Sequence, residues 1–178
     1  MVVTVILVII LAVIAAILGV AAAKPNSFTV KRATVIAAAP EAIFPYLEDF
    51  HRWAAWSPFE GRDPNMKKTF SGAAKGVGAA YAWAGDKKAG AGSMQITEAK
   101  APGKLALDLT MVRPFPTANK VEFFLTPLDE GTRTAWVMTG PQPFMSKVMS
   151  VFINMDKLVG GEFDKGLAQL KAAVEKES

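Results

Sequence analysis

Residues 1–23, MVVTVILVIILAVIAAILGVAAA, contain no charged side chain. As an α-helix this run is about 33 Å long at 1.5 Å per residue, enough to cross a hydrocarbon layer of about 30 Å. It is read as a transmembrane anchor. A cleaved secretory signal is the competing reading, because Ala21-Ala22-Ala23 resembles a small-residue cleavage site. Against it, the run lacks a basic leader and exceeds the usual apolar length of such signals. Lys24, Lys31 and Arg32 follow the helix, so the positive-inside rule orients the remaining domain toward the cytoplasm, in a single-pass membrane protein.

The segment KPNS at 24–27 is a linker too short to let a domain wander far from the bilayer. Of the 178 residues, those that follow suffice for one domain with a real core. The chain has no cysteine, which excludes disulfides and thiolate chemistry. Its net charge of +4 lies wholly after the anchor, and Lys67-Lys68 and Lys87-Lys88 form the lysine doublets. Those doublets fit either attraction to anionic headgroups or ordinary solvated turns. Neither reading involves nucleic acid.

FTVKRATVI (28–36) alternates as a strand does, and APEAIFPYLEDF (39–50) reads as a helix opening at Pro40, with Pro45 expected to bend or shorten it. From residue 66 the pattern changes to antiparallel strands separated by turns: MKKTFSG, VGAAYAWAG, GSMQITEA, KLALDLTMV, NKVEFFLTPL and TRTAWVMTG. Val77, Tyr81 and Trp83 are expected on one face, and Leu105, Leu107, Leu109 and Met111 likewise. One long helical pattern closes the chain, with Phe144, Val148, Val151, Phe152, Met155, Leu158 and Val159 at intervals of three and four, then Phe163, Leu167 and Leu170. The Gly160-Gly161 pair is expected to bend or interrupt it.

This order of elements resembles the helix-grip architecture of the START-like, or SRPBCC, superfamily of polyketide cyclases/dehydrases and lipid-binding proteins. The stretches AAPEAIFPYLEDFHRWAAWSPFE, GVGAAYAWAG, GAGSMQIT and PFPTANKVEFFLTPLDEGTRTAWVMTG look like those of its bacterial members with an N-terminal anchor. The resemblance implies an α+β domain over 28–173, followed by a tail at 174–178, in which a curved antiparallel sheet wraps the long C-terminal helix. It also implies a cavity between sheet and helix for an apolar or amphipathic ligand. On this chain its wall would be Tyr81, Trp83, Met94, Leu107, Phe123, Trp136, Met138, Met149, Phe152 and Met155. The same side chains could instead fill a solid core, and the pattern alone does not separate the two.

DFHRWAAWSPFE (49–60) sets Phe50, Trp53 and Trp56 three apart, an aromatic stripe assigned to packing or to the cavity mouth. His51 within it is the chain's one histidine, with no serine motif to serve and no companion ligands for a metal. GVG at 76–78 and GAG at 90–92 lead into strands rather than a helix N-terminus, so they lack the amide geometry that phosphates need. Asp108 and Glu122 alternate with apolar neighbours and are expected on the outer face. No catalytic residue, metal or cofactor is assigned. The resulting expectation is a membrane-anchored module that binds a small hydrophobic or lipid-like ligand. A cyclase- or hydrolase-like enzyme acting on a hydrophobic substrate and a ligand-free interaction module are the alternatives.

Overall fold

The computed structural model describes residues 1–177, apart from the side chain of Met155. Helix α1 (Val2–Ala22) is followed by β1 (Ser27–Ile36), α2 (Pro40–Glu48) and a 3-10 helix (Phe50–Ala55). Six strands come next: β2 (Lys67–Gly72), β3 (Ala79–Ala84), β4 (Ala91–Lys100), β5 (Lys104–Arg113), β6 (Thr117–Leu128) and β7 (Gly131–Pro141). Helices α3 (Phe144–Phe152) and α4 (Met155–Glu177) end the chain. All strands join one antiparallel sheet in the order β1-β7-β6-β5-β4-β3-β2, a meander closed by β1 pairing back onto β7, Ser27 opposite Pro141. The architecture is α+β, a curved antiparallel sheet gripping a C-terminal helix.

The core lies where strand alternation and helix periodicity meet. Leu105 and Leu107 of β5, Val121, Phe123 and Leu125 of β6, and Trp136 and Met138 of β7 turn inward and are buried. Phe163, Leu167, Leu170 and Val174, at helical spacing along α4, close over them. Ile43, Phe44, Tyr46 and Leu47 of α2 complete the layer; that helix opens at Pro40 and runs on through Pro45 to Glu48.

Two local expectations are corrected, and one element proves tighter than an α-helix. The closing helix is broken at Ile153–Asn154 rather than at the glycine pair: Ile153 is extended, with φ −116° and ψ 122°, and the Asn154 side chain accepts the Lys157 N–H at 2.9 Å as an N-cap. Gly160 stays inside α4, and the guanidinium of Arg32 occupies the space where its Cβ would be. Val77 precedes β3 and is exposed, since the turn residues Gly76 and Gly78 both take positive φ and carry it out of strand alternation. Finally, the aromatic stripe belongs to a 3-10 helix, where residues three apart eclipse, so Phe50, Trp53 and the capping Trp56 line up more closely than α-helical geometry would allow.

Candidate functional site

The 3-10 helix hangs its rings over the middle of the sheet. Trp53 and Trp56 donate their indole N–H groups to the carbonyls of Leu47 (3.1 Å) and Tyr46 (3.0 Å), which ties the stripe to α2. Trp56 then meets Phe123 at 6.0 Å and Trp136 at 5.4 Å between ring centres, and Trp136 stacks on Phe163 of α4 at 4.0 Å. A chain of touching rings thus joins the 3-10 helix, the sheet and α4. Trp136 also presents its six-membered ring to Gly166, where a Cβ would stand 2.8 Å from Trp136 Cζ3 and 2.9 Å from Pro58 Cδ. Trp136 Nε1 and the Thr134 hydroxyl are buried with no hydrogen-bond partner among the described residues.

Above this layer the segment 54–62 leaves α4 and opens a groove of about 690 Å³. Its apolar side is Trp56, Pro58, Ala54, Ala55, Ala172 and Ala173, and its polar side is Glu60, Arg62, Lys68 and Gln169. Glu60 is the hub of the polar side. The Tyr81 hydroxyl donates to Glu60 Oε1 at 2.8 Å, and the Lys68 ammonium bonds Glu60 Oε2. Burial, reinforced by the Glu60 carboxylate, pushes the Tyr81 phenol well above its ordinary range, so Tyr81 is a neutral donor at physiological pH. Arg62 lies over the Phe59 ring and pairs with Glu162 of α4 at 2.8 Å. The Lys165 ammonium, followed by Arg62, holds the Glu162 carboxyl below its ordinary value against a partial burial penalty.

Of the expected wall, Tyr81, Leu107, Phe123, Trp136 and Met138 are buried together, with Trp83 and Met94 half-buried against them. Phe50, Trp53 and Trp56 are buried beside them, and Trp56 alone of these residues lines the groove. Met149 and Phe152 are not brought to this cluster; they are exposed on α3, 42% and 69%, because the break at Ile153 turns α3 away from the line of α4. The Met155 side chain lies outside the described residues. His51 is not partnerless, as its Nδ1 sits 2.9 Å from Asp49 Oδ1 and its ring stacks on Phe70 at 4.2 Å, away from the groove lining. Asp108 is exposed, and Glu122 is ion-paired with Lys104 and Lys120 at 3.3 Å each. Among the described residues no group of three His, Cys, Asp or Glu side chains is placed to hold a metal ion.

Sequence reasoning missed Glu60, Arg62, Lys68 and Gln169. Glu60 and Tyr81 are 21 positions apart, and only the return of β3 beside the 54–62 segment joins them. No periodic signal marks such a pair.

A curved antiparallel sheet, a closing helix and an amphipathic groove between that helix and the preceding loop define a helix-grip domain of the START-like class. The chain belongs to the family of polyketide cyclases/dehydrases and lipid-transport proteins, whose profile matches residues 27–175. Solved structures share the fold. A protein of Chromobacterium violaceum aligns at 18% identity over 85% of this chain and 99% of that one, with a TM-score of 0.59. A Mesorhizobium loti protein aligns at 19% over 85% and 99%, also at 0.59. The di-domain ARO/CYC StfQ from the steffimycin biosynthetic pathway aligns at 13% over 85% and 52%, with a TM-score of 0.65. No curated protein matches the chain.

Proposed function

We propose that the chain is a membrane-anchored binding module for a small hydrophobic or lipid-like ligand. The observation that carries this reading is the groove along α4. Its volume of about 690 Å³ falls within the roughly 300–1,000 Å³ of small-molecule sites, and its two sides suit an amphipathic molecule. An apolar portion would lie on Trp56, Pro58 and Ala172, where burial contributes about 25 cal/mol per Å². A polar end would meet Lys68, Arg62 and Gln169. Tyr81 holds Glu60 in place, and the buried Phe123 and Trp136 back Trp56 from beneath. The helix α1, long and apolar enough to cross a membrane, would keep the groove beside a supply of such ligands.

Native mass spectrometry of the full chain released from nanodiscs, with extraction of bound small molecules, tests this reading. A retained lipid-like adduct is expected, and Ala172→Trp, which fills the groove from an exposed position, is expected to abolish it without changing the melting temperature. An apo mass that persists after incubation with a membrane lipid extract would defeat the proposal, as would an adduct indifferent to Ala172→Trp. Conversion of added lipid to a new mass would transfer the groove to the cyclase- or hydrolase-like alternative.

A further inference from the structure

Helix α3 faces the wrong way for a water-soluble domain. At about 100° per residue, Val151, Phe144, Val148, Phe152, Met145 and Met149 form one continuous apolar arc of roughly 160°, and Ser146, Ser150 and Lys147 fill the other side. In a soluble protein the apolar arc turns inward. Here the polar side does: Lys147 is 7% exposed and its ammonium donates to Asn26 Oδ1 at 2.7 Å. Lys24 donates to the Ser150 carbonyl (2.7 Å) and hydroxyl (2.8 Å). The outward side carries Met145 and Phe152, both 69% exposed, and Phe144 at 50%.

The position of α3 identifies what covers that face. Helix α1 packs on α3, and the two residues of α1 with reduced exposure are Ile17 and Ala21, one turn apart. A span of 21 residues is about 32 Å long, so a bilayer core of about 30 Å takes up its whole length. Residues 17–22 then lie within the outer 8 Å or so of that core, and a helix packed against them lies in the same layer. A second apolar element sits at the same end of the sheet. Ser27 pairs with Pro141, Lys120 with Thr139, and Met111 with Thr117, so the β5–β6 tip projects where the chain leaves α1, with Val112 57% and Phe115 64% exposed. Lys24 and Arg113 stand at this end, and their charge suits anionic headgroups.

We propose that α3, assisted by the β5–β6 tip, is an interfacial helix that lies in the bilayer surface with Phe144, Met145, Met149 and Phe152 among the acyl chains. Amphipathic helices of this kind bury their apolar face about 5–10 Å into the boundary region. The single span thereby gains a second attachment, and the domain is held in one orientation rather than swinging on residues 24–26. The inference rests on the reading of α1 as a membrane span and is independent of any ligand in the groove.

The chain has no native cysteine, so single nitroxide labels can be placed without background. Met145→Cys, Phe152→Cys and Phe115→Cys are labelled in the full chain reconstituted into phosphatidylcholine–phosphatidylglycerol vesicles. Ile10→Cys in α1 and Glu130→Cys, at the opposite end of the sheet, serve as references. Relaxation by oxygen and by a water-soluble nickel chelate then reports depth. Labels at 145 and 152 are expected to resemble position 10, accessible to oxygen and shielded from nickel, with 130 reading as water. Nickel-accessible labels at 145 and 152 beside a lipid-embedded position 10 would overturn the docking and leave the anchor standing. A nickel-accessible position 10 would overturn both. Labels at 145 and 152 shielded from both reagents would mean that protein, not lipid, covers the face.

Discussion

Helices α3 and α4 are separated by two residues and carry similar apolar side chains at similar spacing, yet they bury opposite faces. On α4 the stripe Phe163, Leu167, Leu170 and Val174 is buried to 2% exposure or less, and exposed Asp164, Lys165 and Ala172 look outward. On α3 the apolar arc is outside and the lysine–serine side is inside. The difference teaches that an amphipathic period defines a face without defining the solvent that face meets. What decides is the neighbour: α4 lies on the apolar side of a sheet, whereas α3 lies against the polar linker at residues 24–26 and the end of α1.

The largest expected effect tests the α4 side of that contrast. Leu167→Ala, at a site 1% exposed, opens a cavity between α4 and the sheet and should destabilise the domain by about 2–5 kcal/mol. Phe152→Ala removes a larger side chain from α3 but leaves no cavity in the protein core, and should cost distinctly less than Leu167→Ala. Urea unfolding of the full chain in nanodiscs, followed by tryptophan fluorescence, compares the two. Similar losses in both variants would mean that α3 is part of the folded core and that the contrast is false.

A smaller effect separates two positions on α4 itself. At Gly166 a new Cβ would lie 2.8 Å from Trp136 Cζ3 and 2.9 Å from Pro58 Cδ, whereas at Gly161 nothing lies within 4 Å. Gly166→Ala should therefore cost about 1–3 kcal/mol of overpacking, which outweighs a helix-propensity gain of about 1 kcal/mol. Gly161→Ala should keep that gain and raise stability by up to about 1 kcal/mol. If both variants stabilise, α4 does not seat as closely on Trp136 as the ring stacking with Phe163 requires.

The strands, their inward faces and the seat of α4 were legible in the sequence because period-2 and period-3.6 patterns report burial directly. The boundary between α3 and α4 was not, because Phe144 to Val159 keeps apolar spacing across it and reads as one helix. The overlooked signal was Asn154, a strong N-cap residue inside that run. The wall implied by the family resemblance, between sheet and helix, accordingly included Met149 and Phe152. Trp56 was singled out by its aromatic spacing as a residue of packing or of a cavity mouth, whereas Glu60, Arg62 and Lys68 carried no such signal. Their meeting with Tyr81 and Glu162 depends on tertiary return of the chain, which no local period encodes.

The smallest expected effect is a difference in acid response at the two attachments. The first turn of α4 is tied to β1 by Arg32, which reaches Asp156 at 2.9 Å and Asp164 at 3.2 Å. Hydrogen bonding from Arg32 holds the Asp156 carboxyl below its ordinary value of 3.8 against a smaller burial penalty. A depressed folded-state value means that this attachment stabilises fully above about 3.8 and is lost as pH falls below it toward the folded value. Both carboxylates are more than half exposed, 56% and 61%, so salt should weaken the tie as well. The α3 attachment uses Asn26, Ser150 and main-chain oxygens as acceptors for Lys147 and Lys24, and none of these acceptors titrates in that range. Hydrogen exchange corrected for intrinsic rates, followed from pH 5 to pH 2, should show α4 amides near Asp156 losing protection before those of α3. Asp156→Asn should remove most of that pH dependence while leaving α3 unchanged. Simultaneous loss in both helices would mean that they open as one unit and that the reversal of faces at Ile153–Asn154 does not divide the C-terminal segment into independent attachments.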